Sequence, residues 1–256
     1  IISSQERPSR WAKVAVVKFN RPREAQQEGI ETVVVHGGGK VITEWLDLQG
    51  VTSQFVNGLR ITDEACLEVV VAVLAGLINK KLVAGVNGCG GQAVGLTGAD
   101  AAIMRARIKD PALGLVGDPA HVDTTVIETF IRDGYLPIIA PIGLLEGADG
   151  PTHTLVNINA DTFAAETGGA LKAGQLIFLT DVPGVRDDGG AVLKKASVEE
   201  ISELIEQGIV SGGMVPKVDA CVRALQYVPS AMIIDGRRSH ALRDCVNGAI
   251  AGTEIG

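Results

Sequence analysis

The feature that most constrains the fold is segment 33–40, in which three valines and a histidine are followed by three glycines and a lysine. A β-branched run of this kind favours a buried strand. Glycines then let the backbone turn and approach a ligand without a Cβ in the way. Because residues 41–46 read as the start of a helix, the loop would lie at the positive helix end and could bind an anion. The same pattern also occurs in ordinary tight turns.

The composition limits the class of protein. The chain has 256 residues, of which 46% are hydrophobic and 4% aromatic, enough for one large domain or two lobes. A net charge of -7 argues against nucleic acid and anionic membranes as partners. The longest apolar stretch, residues 69–78, is short of the about 20 residues of a membrane span. The four cysteines form no Cys-x-x-Cys pair, so we expect neither a zinc site nor a disulfide framework.

Short apolar runs alternate with helical patterns along the chain. The predicted strands are residues 14–17, 32–35, 92–96, 136–139, 175–179 and 231–234, and the predicted helices are residues 63–80, 198–207 and 218–226. Thr62 is the expected N-cap of the first helix. This alternation predicts a parallel sheet with helices on both faces. Because ligands bind at the carboxyl ends of strands in such sheets, we expect functional residues directly after these runs.

Four charged residues are candidates for an anion site. Lys18 ends the first strand, and Lys217 opens a helix after a glycine pair, where the helix dipole disfavours a lysine unless an anion is bound. Arg60 precedes the long helix and could hold a carboxylate with two hydrogen bonds. Asp161 follows two asparagines in a turn. Each also has an ordinary explanation, as a solvated strand-end lysine, a surface ion pair or a capping group.

Several enzyme motifs are absent from the sequence. It contains no G-x-S-x-G, no G-x-G-x-x-G and no G-x-x-x-x-G-K-[ST], which argues against hydrolase triads, dinucleotide-dependent dehydrogenases and P-loop proteins. None of the four histidines has a cysteine, an acid or a second histidine at metal-ligand spacing. We therefore predict no protein-bound metal site.

Together, these segments resemble the N-acetyl-L-glutamate kinases of the amino acid kinase family over nearly the whole chain. The resemblance rests on Lys18 and on residues 36–40, 58–62, 157–161, 179–185 and 212–217. It implies a three-layer αβα sandwich with an open, mostly parallel central sheet of about eight strands. It also implies an N-terminal lobe, residues 1–170, for acetylglutamate binding and dimerisation, and a C-terminal lobe, residues 171–256, for ATP binding.

The resemblance implies a reaction and roles for individual residues. MgATP would phosphorylate the side-chain carboxylate of N-acetyl-L-glutamate, the second step of arginine synthesis, with Mg²⁺ carried by the ATP. Lys18 and Lys217 would hold the transferring phosphoryl group, and Asp161 would orient both lysines. The implied substrate-binding residues are Gly38, Gly39, Arg60, Asn157 and Asn159, and the implied ATP-binding residues are Gly37, Thr180, Asp181, Gly184, Val185, Gly213 and Met214. A carboxylate with a pKa of about 4.3 is already ionised at neutral pH, so no general base is needed.

The sequence departs from the family pattern after Lys18. The family usually has two glycines and a long helix there, whereas this chain continues with Phe19, Asn20 and a short polar stretch. Residues 19–32 barely supply the dozen residues of a parallel crossover. We interpret this as a segment missing from the sequence; the alternative is a protein that has lost part of its phosphate loop. A catalytically silent regulatory subunit, or a kinase for glutamate, aspartate or a nucleoside monophosphate, therefore stays an open alternative.

The resemblance also extends to regulation. Residues 1–11 resemble the N-terminal helix of arginine-inhibited, hexameric members, although residues 249–253 lack the acidic residue that usually binds the arginine. Residues 235–240 resemble plant and algal members. From these features we expect a homo-oligomer, either dimer or hexamer, with L-arginine as inhibitor and a PII-type nitrogen-regulatory signal protein as partner. The expected location is the plastid stroma, with the cytoplasm as the alternative.

Overall fold

All six predicted strands are present, in a computed structural model that describes residues 14–19, 31–148, 150–248 and 252–256. The strands are β1 (Val14–Phe19), β2 (Glu31–His36), β3 (Phe55–Val56), β4 (Leu59–Arg60), β5 (Ala93–Thr97), β6 (Met104–Ile108), β7 (Val116–Val122), β8 (Leu136–Ala140), β9 (Ile142–Gly147), β10 (Gly150–Ile158), β11 (Gln175–Thr180), β12 (Lys195–Ala196), β13 (Ala231–Asp235) and β14 (Gly252–Ile255). The helices are α1 (Gly39–Leu48), α2 (Glu64–Val71), α3 (Asn79–Gly88), α4 (Thr125–Arg132), α5 (Ala160–Ala170), α6 (Val198–Glu206), α7 (Val215–Ala224) and α8 (Ala241–Val246).

The main sheet has eight strands in the order β12-β14-β13-β11-β1-β2-β8-β5. β2, β8 and β5 are mutually parallel, and β11 is parallel to β13. β1 lies between β2 and β11 and is antiparallel to both, so β2 and β11 point the same way. The five strands that share this direction are β2, β5, β8, β11 and β13. Their carboxyl ends therefore share one edge, which we call the carboxyl edge. This confirms the expected α/β architecture and places the glycine loop after β2 on the same edge as the turns after β11 and β13.

The direction of β1 differs from the expected parallel arrangement. Lys18 pairs with Thr32 at the start of β2 and with Gln175 at the start of β11, whereas Val14 pairs with His36 at the other end. The connection from β1 to β2, residues 20–30, lies outside the described residues. A short connection favours an antiparallel pair, because a parallel crossover needs a dozen residues or more.

A closed barrel of β6, β7, β9 and β10 accompanies the main sheet. The sequence did not reveal it, because these strands have mixed polarity and no regular alternation. Their register shifts between Arg105 and Ala106 and between Pro151 and Leu155. Glycines allow the barrel to close tightly: a Cβ on Gly117 would lie 2.8 Å from Val156 Cγ2. The barrel determines where β10 ends and therefore positions residues 157–161.

The predicted helix 63–80 is longer than expected and runs from Glu64 to Gly88. Its N-cap is Asp63 rather than Thr62, because the Asp63 carboxylate accepts a hydrogen bond from Cys66 N (2.8 Å). A π-helical segment, Ala72–Ile78, interrupts it. By length and composition alone this helix could cross a membrane. Its buried side chains pack into a core cluster with those of α1.

Helices cover both faces of the sheet. α1, α2 and the π-helical segment form one cluster, while side chains of α4, α5, α6 and α7 join a larger cluster on the other side. The larger cluster contains residues from Val33 to Ile255, so it draws on both predicted lobes. The lobe boundary at residue 170 stays a prediction.

Candidate active site

The glycine loop lies at the carboxyl edge, between β2 and α1. Gly38 is the N-cap of α1, and Ile42 N donates to Gly38 O (3.0 Å). A Cβ on Gly38 would overlap Ile78 Cδ1 and lie 2.9 Å from Leu74 Cδ2, so a larger residue there would require these side chains to shift. At Gly39 a Cβ would meet nothing within 4 Å. The loop thus places the first amides of α1 at this edge, where a helix N-terminus favours an anion.

Arg60 lies next to the glycine loop. Its side chain comes from the β3–β4 hairpin, is only 6% exposed, and donates from Nη2 to Gly39 O (2.9 Å) and to Thr43 Oγ1 (2.8 Å). The guanidinium also donates to Ser53 Oγ and lies 4.6 Å from the centroid of the Phe55 ring. Burial lowers the pKa of Arg60. Guanidinium groups nevertheless stay protonated in proteins. The structure therefore holds a fixed cation beside the loop.

Asn157 joins the end of β10 to the arginine segment. Its Nδ2 donates to Thr62 Oγ1 (3.1 Å), and Thr62 Oγ1 donates to Arg60 O (2.9 Å). Thr62 is fully buried. Thr62 was expected only as a helix cap; the structure shows instead that it couples two predicted substrate residues. The sequence could not show this coupling, since 95 residues separate Thr62 from Asn157.

Asp161 and Lys217 form a buried ion pair. Lys217 Nζ lies 2.6 Å from Asp161 Oδ1, and the two side chains are 3% and 13% exposed. The ammonium is also 5.7 Å from the centroid of the Phe178 ring, on β11. Asn159 is the N-cap of α5 and accepts from Asp161 N (3.0 Å) and Thr162 N (3.1 Å). Asn159 thus caps α5, the role that the sequence analysis considered for Asp161, and Asp161 instead pairs with a predicted catalytic lysine.

The arginine hairpin approaches the start of α7. Gly58, at the hairpin turn, has a φ of 78°, and a Cβ there would lie 3.6 Å from Pro216 Cγ. Pro216 directly precedes Lys217 in the first turn of α7, after the 3₁₀ turn Gly212–Met214. The hairpin of Arg60 and the helix of Lys217 are therefore adjacent. Gly213 and Met214 lie in that same turn.

The turn after β11 closes on neighbouring strands. Thr180 Oγ1 lies within hydrogen-bond distance of Val182 O (2.8 Å) and Ile234 O (3.2 Å), and Val185 N donates to Thr253 Oγ1 (2.9 Å). A Cβ on Gly184, whose φ is 152°, would lie 2.6 Å from Thr253 Oγ1. Thr180, Gly184 and Val185 thus shape this turn, while Asp181 is exposed.

Asp235 and Arg237 lie beside this turn, at the end of β13. The Asp235 carboxylate accepts from Arg237 Nε (2.8 Å) and Nη2 (2.8 Å), and these hydrogen bonds hold the pKa of Asp235 below its usual range. The sequence had indicated Asp235 only as a strand-end residue. The sequence does contain one indication of this pair, since Arg237 follows Asp235 by two residues.

Lys18 is not brought to the other candidates. Its backbone pairs with Thr32 and Gln175, at the edge of the sheet opposite the glycine loop. By contrast, the loop, Arg60, Asn157, Asp161 and Lys217 are linked by the contacts above, on the side where the parallel strands end. Two cations and a helix N-terminus at one edge can bind anionic substrates.

Comparisons with known proteins show which family the chain resembles. The sequence profile described as the amino acid kinase family matches residues 19–235, starting one residue after Lys18. The acetylglutamate kinase of Dinoroseobacter shibae is 45% identical over 217 residues, which cover 84% of this chain and 74% of the relative. That of Bartonella tribocorum is 46% identical over 231 residues, covering 85% and 75%. The solved structure of smu.665 from Streptococcus mutans UA159 has a TM-score of 0.75 at 30% identity, covering 87% of this chain and 84% of that chain.

Proposed function

The chain belongs to the amino acid kinase family, and from this premise we propose that it transfers the γ-phosphoryl group of ATP to the side-chain carboxylate of N-acetyl-L-glutamate. The observation that carries the proposal is the buried Lys217–Asp161 pair beside the hairpin of Arg60. Relatives named acetylglutamate kinase, 42–46% identical over most of this chain, support the choice of substrate.

The chemistry needs positive charge and alignment rather than a base. One oxygen of the ionised carboxylate attacks the γ-phosphorus, and the bond from that phosphorus to the bridging oxygen of ADP breaks. The products are an acyl phosphate and ADP, and no proton is transferred. Such a transition state is stabilised chiefly by positioned cations and amide dipoles. Mg²⁺ carried by the nucleotide neutralises charge on its phosphates.

The described residues divide into two groups for this task. Arg60 and Asn157 hold the acetylglutamate, because Thr62 joins them at the glycine loop. Lys217 holds the transferring phosphoryl group, and Asp161 keeps the ammonium in place. Gly38 and Gly39 offer amides to the γ-phosphate at the start of α1. The nucleotide lies along the turn after β11, near Asp181, Gly213 and Met214, with Gly37 at its phosphate end.

The proposal assigns no role to Lys18, because its backbone lies at the opposite end of the sheet from the glycine loop. The resemblance implies that it holds the phosphoryl group, but the register of β1 gives that role no support. Its role depends on the direction of β1, and hence on the segment that follows it. A longer protein containing the usual two glycines and helix after this lysine would test whether β1 then runs parallel to β2.

An acyl phosphate assay tests the proposal. The purified protein is incubated with MgATP and N-acetyl-L-glutamate, with L-glutamate and L-aspartate in parallel, and the acyl phosphate is trapped with hydroxylamine. We expect product with the acetylated substrate only. Product with an unacetylated amino acid would assign a related kinase, whereas no product from folded protein would favour the silent regulatory subunit.

A pair of lysine variants tests the site. Lys217→Ala removes the buried cation, while Lys195→Ala removes a lysine that pairs with Glu254 on the surface (2.9 Å, 66% exposed). We expect the first to abolish measurable transfer and the second to leave it unchanged. Equal activities in the two variants would overturn the assignment of Lys217.

The finer expectations on regulation stay proposals. We propose inhibition by L-arginine, assembly into a dimer or hexamer, binding of a PII-type signal protein, and a plastid location, all on the resemblance alone. Residues 1–11, which suggested the hexamer, lie outside the described residues. Titrating arginine into the assay, and measuring the mass of the protein in solution, tests the first two.

A further inference from the structure

A buried polar pair lies behind the glycine loop, and the proposed reaction does not use it. His36 is fully buried at the end of β2, and Asn79, at the start of α3, is 1% exposed. His36 Nε2 and Asn79 Nδ2 are 3.2 Å apart. Because burying polar groups is costly unless they are hydrogen-bonded, a pair in this position needs an explanation.

The surroundings of Asn79 determine which way its amide points. Asn79 Nδ2 lies 2.8 Å from Ile138 O and 3.3 Å from Leu96 O, and both carbonyls can only accept. The Oδ1 atom in turn accepts from Lys80 Nζ (3.1 Å). A Cβ on Gly95 would overlap Asn79 Oδ1, so this glycine makes room for the amide. The two hydrogens of Asn79 Nδ2 are shared among the Ile138 and Leu96 carbonyls and His36 Nε2. An amide nitrogen cannot accept a hydrogen bond, so Asn79 faces His36 as a donor.

This orientation selects one tautomer of His36. Since Nε2 accepts from Asn79, the proton of the neutral ring must be on Nδ1. The Nδ1 atom lies 3.2 Å from Gly37 O, to which it donates. Burial lowers the pKa of His36 to about 4, so the ring is neutral at pH 7, as this arrangement requires. The chain Asn79–His36–Gly37 thus ends on a carbonyl of the loop.

The same helix also supports the loop by direct packing. Leu74 and Ile78 belong to the π-helical segment and fill the space behind Gly38. Asn79 N donates to Leu74 O, five residues back, which is the π-type bond that ends this segment. π-bulges occur often at functional sites. One irregular turn therefore presents apolar contacts to Gly38 and a polar contact to His36.

We propose that His36 and Asn79 are positioning residues that hold the glycine loop, through Gly37 O and the packing of Gly38, in the conformation that presents its amides to a phosphate. The orientation of the amides is thereby set by a helix that lies outside the loop. The claim that the amides are presented to a phosphate rests on the proposed function. The claim that His36 and Asn79 fix the loop conformation is independent of it.

Hydrogen exchange of the loop tests the positioning role without reference to activity. Asn79→Ala breaks the chain, and the matched control is Asn87→Ala, because Asn87 also joins α3 to β5, accepting from Ala93 N (2.7 Å), but lies away from the loop. We expect the amide of Ile42, which donates to Gly38 O, to exchange about tenfold faster in Asn79→Ala, as for the loss of one buried hydrogen bond, and unchanged in Asn87→Ala. Equal exchange in both variants would overturn the proposal.

Two further measurements are needed in case Asn79→Ala does not fold. They also separate the positioning role of His36 and Asn79 from the proposed kinase activity. In the wild-type protein at pH 7, the ¹⁵N shifts of the His36 ring should report a neutral ring protonated at Nδ1; protonation at Nε2 would contradict the hydrogen-bond chain. With active wild-type enzyme, and with kcat referred to the concentration of folded protein, His36→Leu should lower kcat more than it raises KM for acetylglutamate; an unchanged kcat on this basis would contradict the positioning role. If the wild type is inactive, the exchange and ¹⁵N results still decide the positioning role.

Discussion

Lys217 Nζ lies 2.6 Å from Asp161 Oδ1 in a pair almost closed to solvent, joining the first turns of α5 and α7. Cations in a buried pair are costly to desolvate, and such a pair contributes little net stability compared with apolar side chains of the same volume. Its retention at the carboxyl edge therefore points to a function for the ammonium.

Replacing both members of this pair should separate stability from activity. Lys217→Met alone leaves the Asp161 carboxylate unpaired and should destabilise the protein by about 3 kcal/mol. The double variant, Lys217→Met with Asp161→Leu, should regain most of that stability and still lack phosphoryl transfer. Urea unfolding and the hydroxylamine assay on the same samples measure the two effects. Activity in the double variant would mean that Lys217 does not act on the phosphoryl group.

Adjacent glycines of the loop should respond oppositely to a methyl group. Gly38→Ala should cost about 1–3 kcal/mol, since its Cβ would overlap Ile78 Cδ1. Gly39→Ala should be neutral or stabilising by up to about 1 kcal/mol, because it lies in α1 with no atom in the way. Chemical unfolding of both variants provides the comparison.

A second substitution tests the cause of the Gly38 effect. Ile78→Val removes the Cδ1 atom that the new methyl group would overlap, so Gly38→Ala combined with Ile78→Val should be less destabilised than the sum of the two single changes. Additive costs would show that the strain lies elsewhere.

The stability of the fold should depend on pH through His36. Burial lowers its pKa from 6.5 to about 4, while Lys80, the charged group that faces the ring, acts in the same direction. The unfolded chain then binds more protons between these values, so the stabilising contribution is complete above about pH 6.5 and is lost as the pH falls toward 4. The shift corresponds to about 3 kcal/mol.

The matched comparison is His36→Leu, which cannot titrate at this position. The difference in unfolding free energy between wild type and His36→Leu should shrink as the pH falls from 7 to 4, by about 3 kcal/mol. A constant difference over this range would show that the ring is not held neutral in the folded protein.

Arg60 should act on substrate binding more than on the chemical step. Arg60→Lys keeps the charge but loses the planar group that contacts Gly39 O, Thr43 and the face of Phe55. We expect KM for acetylglutamate to rise by roughly 10- to 100-fold with a smaller change in kcat. Arg107→Ala, an exposed residue paired with Glu146, serves as control. An unchanged KM in Arg60→Lys would exclude a two-bond contact with the substrate.

Local patterns predicted the main sheet well. The run 136–139 became Leu136–Ala140, and the run 175–179 became Gln175–Thr180, since buried strands between helices are recognisable from apolar runs that end at polar residues. The barrel was missed because Gly117 and Gly143 owe their place to close packing between strands that have no distinctive pattern of their own. For Lys18, the sequence identified the strand but predicted the wrong strand direction.

The sequence by itself determined the family, the alternation of strands and helices, and the residue types at the carboxyl edge, because these depend on local propensity and on short contiguous motifs. Only the tertiary structure decided that Asp161 pairs with Lys217, that Thr62 joins Asn157 to Arg60, and that Asn79 reaches His36. The contacts of Asn79 with His36, of Lys217 with Asp161 and of Asn157 with Thr62 span 43 to 95 positions in the chain. Their geometry follows from how helices pack on the sheet, and no local pattern encodes that packing.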